Sequence, residues 1–135
     1  DPPGVVGIDE ESSMDGDSSL RFYNTERTRV FHQVSQSVPL SDEIEIRVQC
    51  FNKSKNTRIE YRQEASFTRM NLVYKDASGT DVRTETKDIR LGSYDWEQFS
   101  SNSYVPQGAS SVEISFLSSV SGTLWVDGLT VTQLQ

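Results

Sequence analysis

Three aromatic residues, Phe31, Phe51 and Tyr104, sit in alternating stretches that also carry Gln33, Gln49, Asn71, Asn102, Arg47 and Arg69. These side-chain types suit a polyhydroxylated ring. An aromatic face covers the ring's apolar C–H surface at low entropic cost. Amides and guanidinium groups then read the hydroxyls around it. A single exposed aromatic is as well explained by packing across a strand pair, so the reading draws on the set and on no one member. Arg29, Arg47, Arg58, Arg62 and Arg69 would make a basic stripe if their strands were neighbours. Arginine forks grip carboxylate or sulfate bidentately, which points to an acidic polymer. Pairing with Glu45, Glu60 and Glu64 would instead leave ordinary solvated decoration.

Other chemistries find less support. His32 is the sole histidine and Cys50 the sole cysteine, which leaves no internal disulfide and no cluster of zinc ligands. Cys50 continues the apolar alternation Ile44, Ile46, Val48, so it reads as a buried, inert thiol. No pair of carboxylates is singled out for glycoside hydrolysis. Asp15-Gly16-Asp17 lacks the rest of a calcium-binding helix–loop–helix pattern. Asn52-Lys53-Ser54 is a formal glycosylation sequon in a stretch that reads as a turn.

A chain of 135 residues is long enough for one domain with a real core, taken here as 1–135. Its net charge of −7 argues against nucleic acid, which needs a basic face to neutralise phosphates. No apolar run is long enough to span a bilayer. Every Lys and Arg lies between Arg21 and Arg90, whereas the N-terminal stretch is acidic. The opening Asp1-Pro2-Pro3 reads as an excised or processed boundary.

What must position the candidate residues is a set of strands, because two-residue alternation recurs and helical periodicity is weak. The pattern predicts strands at Ser19–Tyr23, Arg29–Val38, Glu43–Phe51, Arg58–Gln63, Phe67–Lys75, Val82–Ile89, Glu97–Val105, Ser111–Leu117 and Thr123–Thr132. Turn signals fall at Pro39–Asp42, Asn52–Asn56, Asp76–Gly79 and Pro106–Gly108. Short strands at this spacing indicate an all-β sandwich or barrel. Alternation turns Ile44, Ile46, Val48 and Cys50 inward, and likewise Met70, Leu72 and Tyr74. Val30, His32, Val34, Gln36 and Val38 form the inner set of the second predicted strand. Gln98, Ser100, Asn102 and Tyr104 point outward.

The order Asp95-Trp96, then Val105-Pro106-Gln107-Gly108-Ala109, then Gly122-Thr123-Leu124-Trp125-Val126-Asp127 resembles the closing segment of galactose-binding-like jelly rolls. It is most similar to carbohydrate-binding modules of the family four, nine and twenty-two type. Upstream, Gly16-Asp17-Ser18-Ser19-Leu20-Arg21, Val34–Leu40 and Leu72–Gly79 resemble the same family's early strand, strand-to-turn and hairpin elements. Two departures stand out. The usual first strand with its Asn-x-Gly-Phe-Glu element is replaced by Pro2–Gly7, and a frequent Asp-Asp pair reads Asp127-Gly128 here.

The resemblance implies an all-β jelly-roll sandwich of two antiparallel sheets. It implies a secreted, non-catalytic, monomeric module, bacterial and excised from a larger polysaccharide-degrading enzyme, with that enzyme's catalytic domain and its polymer as partners. Membrane and nucleic acid are not expected partners. The polysaccharide or oligosaccharide would lie in one concave groove holding Phe31, Arg47, Gln49, Phe51, Arg69, Asn71, Asn102 and Tyr104. Asp127 and Asp17 would hold a structural calcium ion, and Trp96 and Trp125 would be largely buried scaffold. The competing readings are a structural or adhesive spacer that lost its groove, and a small β-sandwich lyase or hydrolase.

Overall fold

Among the described residues, apolar alternation is realised as nine antiparallel strands: β1 (Val5–Asp9), β2 (Ser19–Asn24), β3 (His32–Pro39), β4 (Glu45–Arg58), β5 (Thr68–Lys75), β6 (Asp81–Asp88), β7 (Gly92–Tyr104), β8 (Ser111–Ser118) and β9 (Ser121–Leu134). The computed structural model describes residues 5–9, 19–24, 32–42, 44–59 and 67–134. A five-stranded sheet in the order β1-β2-β9-β4-β7 packs on a four-stranded sheet in the order β3-β8-β5-β6. Apart from the paired neighbours β1–β2 and β5–β6, successive strands cross from one sheet to the other, as in a jelly roll.

The inward faces meet in one core. Ile46, Val48 and Cys50 of β4 face Met70, Leu72 and Tyr74 of β5, joined by Val112, Ile114 and Phe116 of β8 and by Phe22, Leu124 and Val126. Truncating any of the large members, such as Leu72→Ala, costs about 2–5 kcal/mol through lost transfer energy and the cavity left behind. Val34 and Val38 pack against this cluster as the alternation predicts, but Gln36 is exposed. Ile44 does not join the core. It lies just before β4 and is 75 % exposed, because pairing with β9 begins only at Glu45.

Three bulges within the described residues of the five-stranded sheet reset the alternation. Opposite Gln49–Phe51 of β4, β9 carries an extra residue at Gly128, whose φ is +63°. That insertion lets Leu129 and Val131 on one side, and Val126 and Leu124 on the other, all turn inward. A second extra residue in β7 falls between Tyr94 and Glu97. The third lies in β4 at Asn56–Thr57, opposite Gly122.

The expected turn at Asn52–Asn56 is thus a bulged continuation of β4, paired on both sides. Asn52 is only 3 % exposed and accepts a weak hydrogen bond from the Cys50 thiol at 3.5 Å. The sequon is consequently closed in the folded chain. β1 is a strand that alternation did not predict, and the stretch following Ile59 lies outside the described residues until Phe67.

Candidate functional site

The outer face of the four-stranded sheet is built from side chains that alternate with the core set. Register places Gln33, Leu117, Arg69 and Asp88 in one row across the four strands. The next row is Ser35, Ser115, Asn71 and Thr86, and the third is Ser37, Glu113, Val73 and Thr84. Ser115 is 2 % and Leu117 7 % exposed, although both point away from the core. Their neighbours on β3 and β5 therefore rise above them, and β8 forms the floor of a trough. On β4, which lies between β9 and β7 in the other sheet, the outward Arg47, Gln49 and Phe51 stay partly exposed.

The trough is lined by amide and hydroxyl groups that hold one another in place. Gln33 Nε2 donates to Ser35 Oγ at 3.3 Å and to Ser115 Oγ at 3.4 Å, and the two serine hydroxyls are 2.9 Å apart. Two further groups are left over. Arg69 Nε and Asn71 Oδ1 are closed off by their surroundings and have no hydrogen-bond partner among the described residues. An unsatisfied buried polar group costs about 1–3 kcal/mol, which a small rotation toward a ligand hydroxyl would recover. The Arg69 guanidinium lies over the Phe67 ring, 4.0 Å from its centroid, which restricts its plane.

Charge on this face is balanced. Arg69 Nε lies 3.6 Å from Asp88 Oδ1, and Lys75 Nζ lies 3.6 Å from Asp81 and 3.9 Å from Glu113. The basic stripe read from the sequence does not form: Arg47 is on the five-stranded sheet, Arg69 is on the four-stranded one, and Arg58 ends β4. Arg29 and Arg62 lie outside the described residues.

The eight expected groove residues also divide between the faces. Arg47, Gln49, Phe51, Asn102 and Tyr104 alternate with inward residues of β4 and β7, and so share the outer face of the five-stranded sheet. There Arg47 Nε donates to Asn102 Oδ1 at 3.0 Å, and Gln49 lies across from Ser100 and Thr130. Arg69 and Asn71 occupy the opposite side of the sandwich. No single groove can hold all of them, because sheet sidedness is fixed by the core that each alternates with. Phe31 lies outside the described residues. Trp96 and Trp125 are intermediate in burial, neither sealed in the core nor exposed, and Trp125 has Lys53 Nζ 5.0 Å from its ring centroid.

Solved structures share this arrangement. The enzymatically active domain of bacteriophage CBA120 tailspike protein 4 superposes with a TM-score of 0.76 at 16 % identity, covering 96 % of this chain and 18 % of that one. A family 16 carbohydrate-binding module gives 0.67 at 14 % identity, covering 95 % of this chain and 85 % of that one. The xylan-binding family 22 module of Paenibacillus barcinonensis Xyn10C gives 0.61 at 14 % identity, covering 97 % and 81 %. The fold is that of carbohydrate-binding modules. No family model and no curated protein matches the chain. The chain spans under a fifth of the tailspike's length but most of the two modules'.

Of the two residues expected to hold calcium, Asp127 alone falls among the described residues. Calcium takes six to eight oxygens. Asp127 lies at the β9 bulge with Oδ1 accepting the Gly128 amide at 2.8 Å, and no group of three or more His, Cys, Asp or Glu gathers among the described residues. Asp17 lies outside them. The Cys50 thiol is pushed up to about 12 by burial, the opposite of what a nucleophile needs.

Several trough residues escaped the sequence reading, namely Ser35, Ser115, Thr84, Thr86 and Asp88. The signal was present as alternation in Ser111–Leu117 and Val82–Ile89. Attention to aromatic and arginine side chains passed over serine and threonine.

Proposed function

We propose that this chain is a non-catalytic carbohydrate-binding module that lays a neutral polysaccharide along the outer face of the four-stranded sheet. The observation that carries the reading is the polar row Ser35, Ser115, Asn71 and Thr86, recessed at Ser115 and holding the unpartnered Asn71 carbonyl. Amides and hydroxyls in such a row can read hydroxyls along a sugar chain, and each cation nearby already has a carboxylate neighbour. Neutral sugar is therefore favoured over a uronate or sulfated glycan. The jelly-roll likeness to modules whose names record xylan and β-1,4-galactotriose supports a glycan ligand in general.

The mechanism would be proximity. A module holding the polymer raises the effective concentration of any catalytic domain joined to it, without new chemistry of its own. Such polymers are met outside the cell, which supports a secreted setting.

Affinity gel electrophoresis across neutral and acidic glycans tests the reading. Retardation by at least one neutral polymer is expected, weakened about tenfold by Asn71→Ala and unchanged by Arg47→Ala on the opposite face. A chain retarded by no glycan would be the spacer instead. Loss of binding on Arg47→Ala with none on Asn71→Ala would move the site to the five-stranded sheet.

A further inference from the structure

Where the trough ends, the row carrying Arg69 and Asp88 opens into a cavity of about 240 Å³ walled by Ile59, Phe67, Ile89 and Leu91. We infer that this cavity is a subsite for a single terminal sugar residue, resting on the glycan-binding reading above. The size supports one residue: pockets that take drug-sized molecules begin at roughly 300 Å³. The walls supply apolar surface for the C–H side of a ring, and the mouth supplies polarity. Arg69 and Asp88 line both the last row of the trough and the cavity, so the two are continuous.

Their geometry leaves both groups with spare capacity. Arg69 Nε and Asp88 Oδ1 are 3.6 Å apart, close enough to attract and too far for a hydrogen bond. The Asp88 side chain is 82 % exposed. A guanidinium that only donates, next to a carboxylate that only accepts, can read two adjacent hydroxyls as a pair. An internal residue carries a glycosidic bond at each end and needs two exits. A residue at a chain terminus or at the tip of a one-residue branch needs only one, and the cavity meets the trough at the Arg69–Asp88 row. The chemistry recognised is the same in both cases.

The test compares a linear xylan or galactan, the same backbone bearing single-residue branches, and short oligosaccharides of that backbone, by affinity electrophoresis and titration calorimetry. The wild-type chain should favour terminus-rich ligands over the long linear polymer by tenfold or more. Stronger binding of the branched polymer assigns the tip of a branch, and stronger binding of oligosaccharides assigns the chain end. Leu91→Trp, and separately Ile59→Trp, each filling the cavity from a wall outside the trough, should abolish that preference and leave binding of the linear polymer unchanged. Equal binding of all three ligands by the wild type, or a preference that survives both variants, overturns the subsite while the trough stands. Failure of the wild type to bind any of them removes trough and subsite together.

Discussion

Cys50 and Gly122 show how strongly individual positions are constrained here. With its thiol raised from 9.0 to about 12 by burial, Cys50 is neutral in the fold at pH values where the unfolded chain would ionise it. Below pH 9 both states keep the proton and the thiol does not affect stability. Above it the unfolded state binds fewer protons, so stability should fall by up to roughly 1.4 kcal/mol per pH unit until about pH 12. Tyr74, also raised by burial, adds to the loss at higher pH. Urea titrations from pH 8 to 11, an interval chosen to span roughly the thiol's shift, should show this decline, and Cys50→Ala should flatten its first part. Gly122 has φ +104°, and a Cβ there would lie 2.4 Å from the Asn56 carbonyl oxygen and 2.7 Å from Thr57 Cα. Backbone cannot yield as a flexible side chain can. Gly122→Ala should therefore cost about 2–4 kcal/mol, read as a lower urea midpoint with an unchanged slope.

Edge strands β6 and β7 belong to different sheets, and a polar chain clasps them. Tyr74 Oη and Ser103 Oγ are 2.5 Å apart, Ser103 bonds Glu85, Arg83 bonds Glu85 at 3.0 Å, and Arg83 also donates to the Tyr104 carbonyl. Ser103→Ala would remove the Tyr74 hydroxyl's partner at 2.5 Å, leaving it only Arg83, and should cost about 1–3 kcal/mol. Adding Tyr74→Phe should recover part of that loss, and a double-mutant cycle by chemical denaturation measures the coupling. Elements of this kind divide what alternation can and cannot foretell. β5 was readable because Met70, Leu72 and Tyr74 alternate without interruption. β4 was cut short because Asn52-Lys53-Ser54-Lys55-Asn56 has turn composition, yet pairing on both sides holds it extended. Bulges at Gly128 and near Trp96 shift the inward set by one residue, which no fixed period of two anticipates. Ile44 misled for a related reason, since a strand's pattern can run on past its last pairing partner.

For the molecule as a whole, the two-sheet jelly roll was readable, but the division of the candidate residues between its two outer faces was not. Alternation states which residues share a face of one strand. It does not say which strands become neighbours, so Arg47 and Arg69 looked like one stripe and lie on opposite sides of the core. Balanced charge on the trough leads to a prediction for the intact domain. Glycan binding should change less than twofold between low and high salt, because screening acts on net charge–charge attraction, which a neutral ligand lacks. A steep loss of affinity with salt would require an anionic ligand and the Arg47-bearing face. The chain's one thiol, sealed in the core and hard to ionise, also leaves its surface chemically blank to maleimides in the folded state. A cysteine introduced at Thr132, exposed beside Arg47 on the far side from the trough, would be the only addressable handle. A dye or a solid support could be attached there with the trough still facing solution.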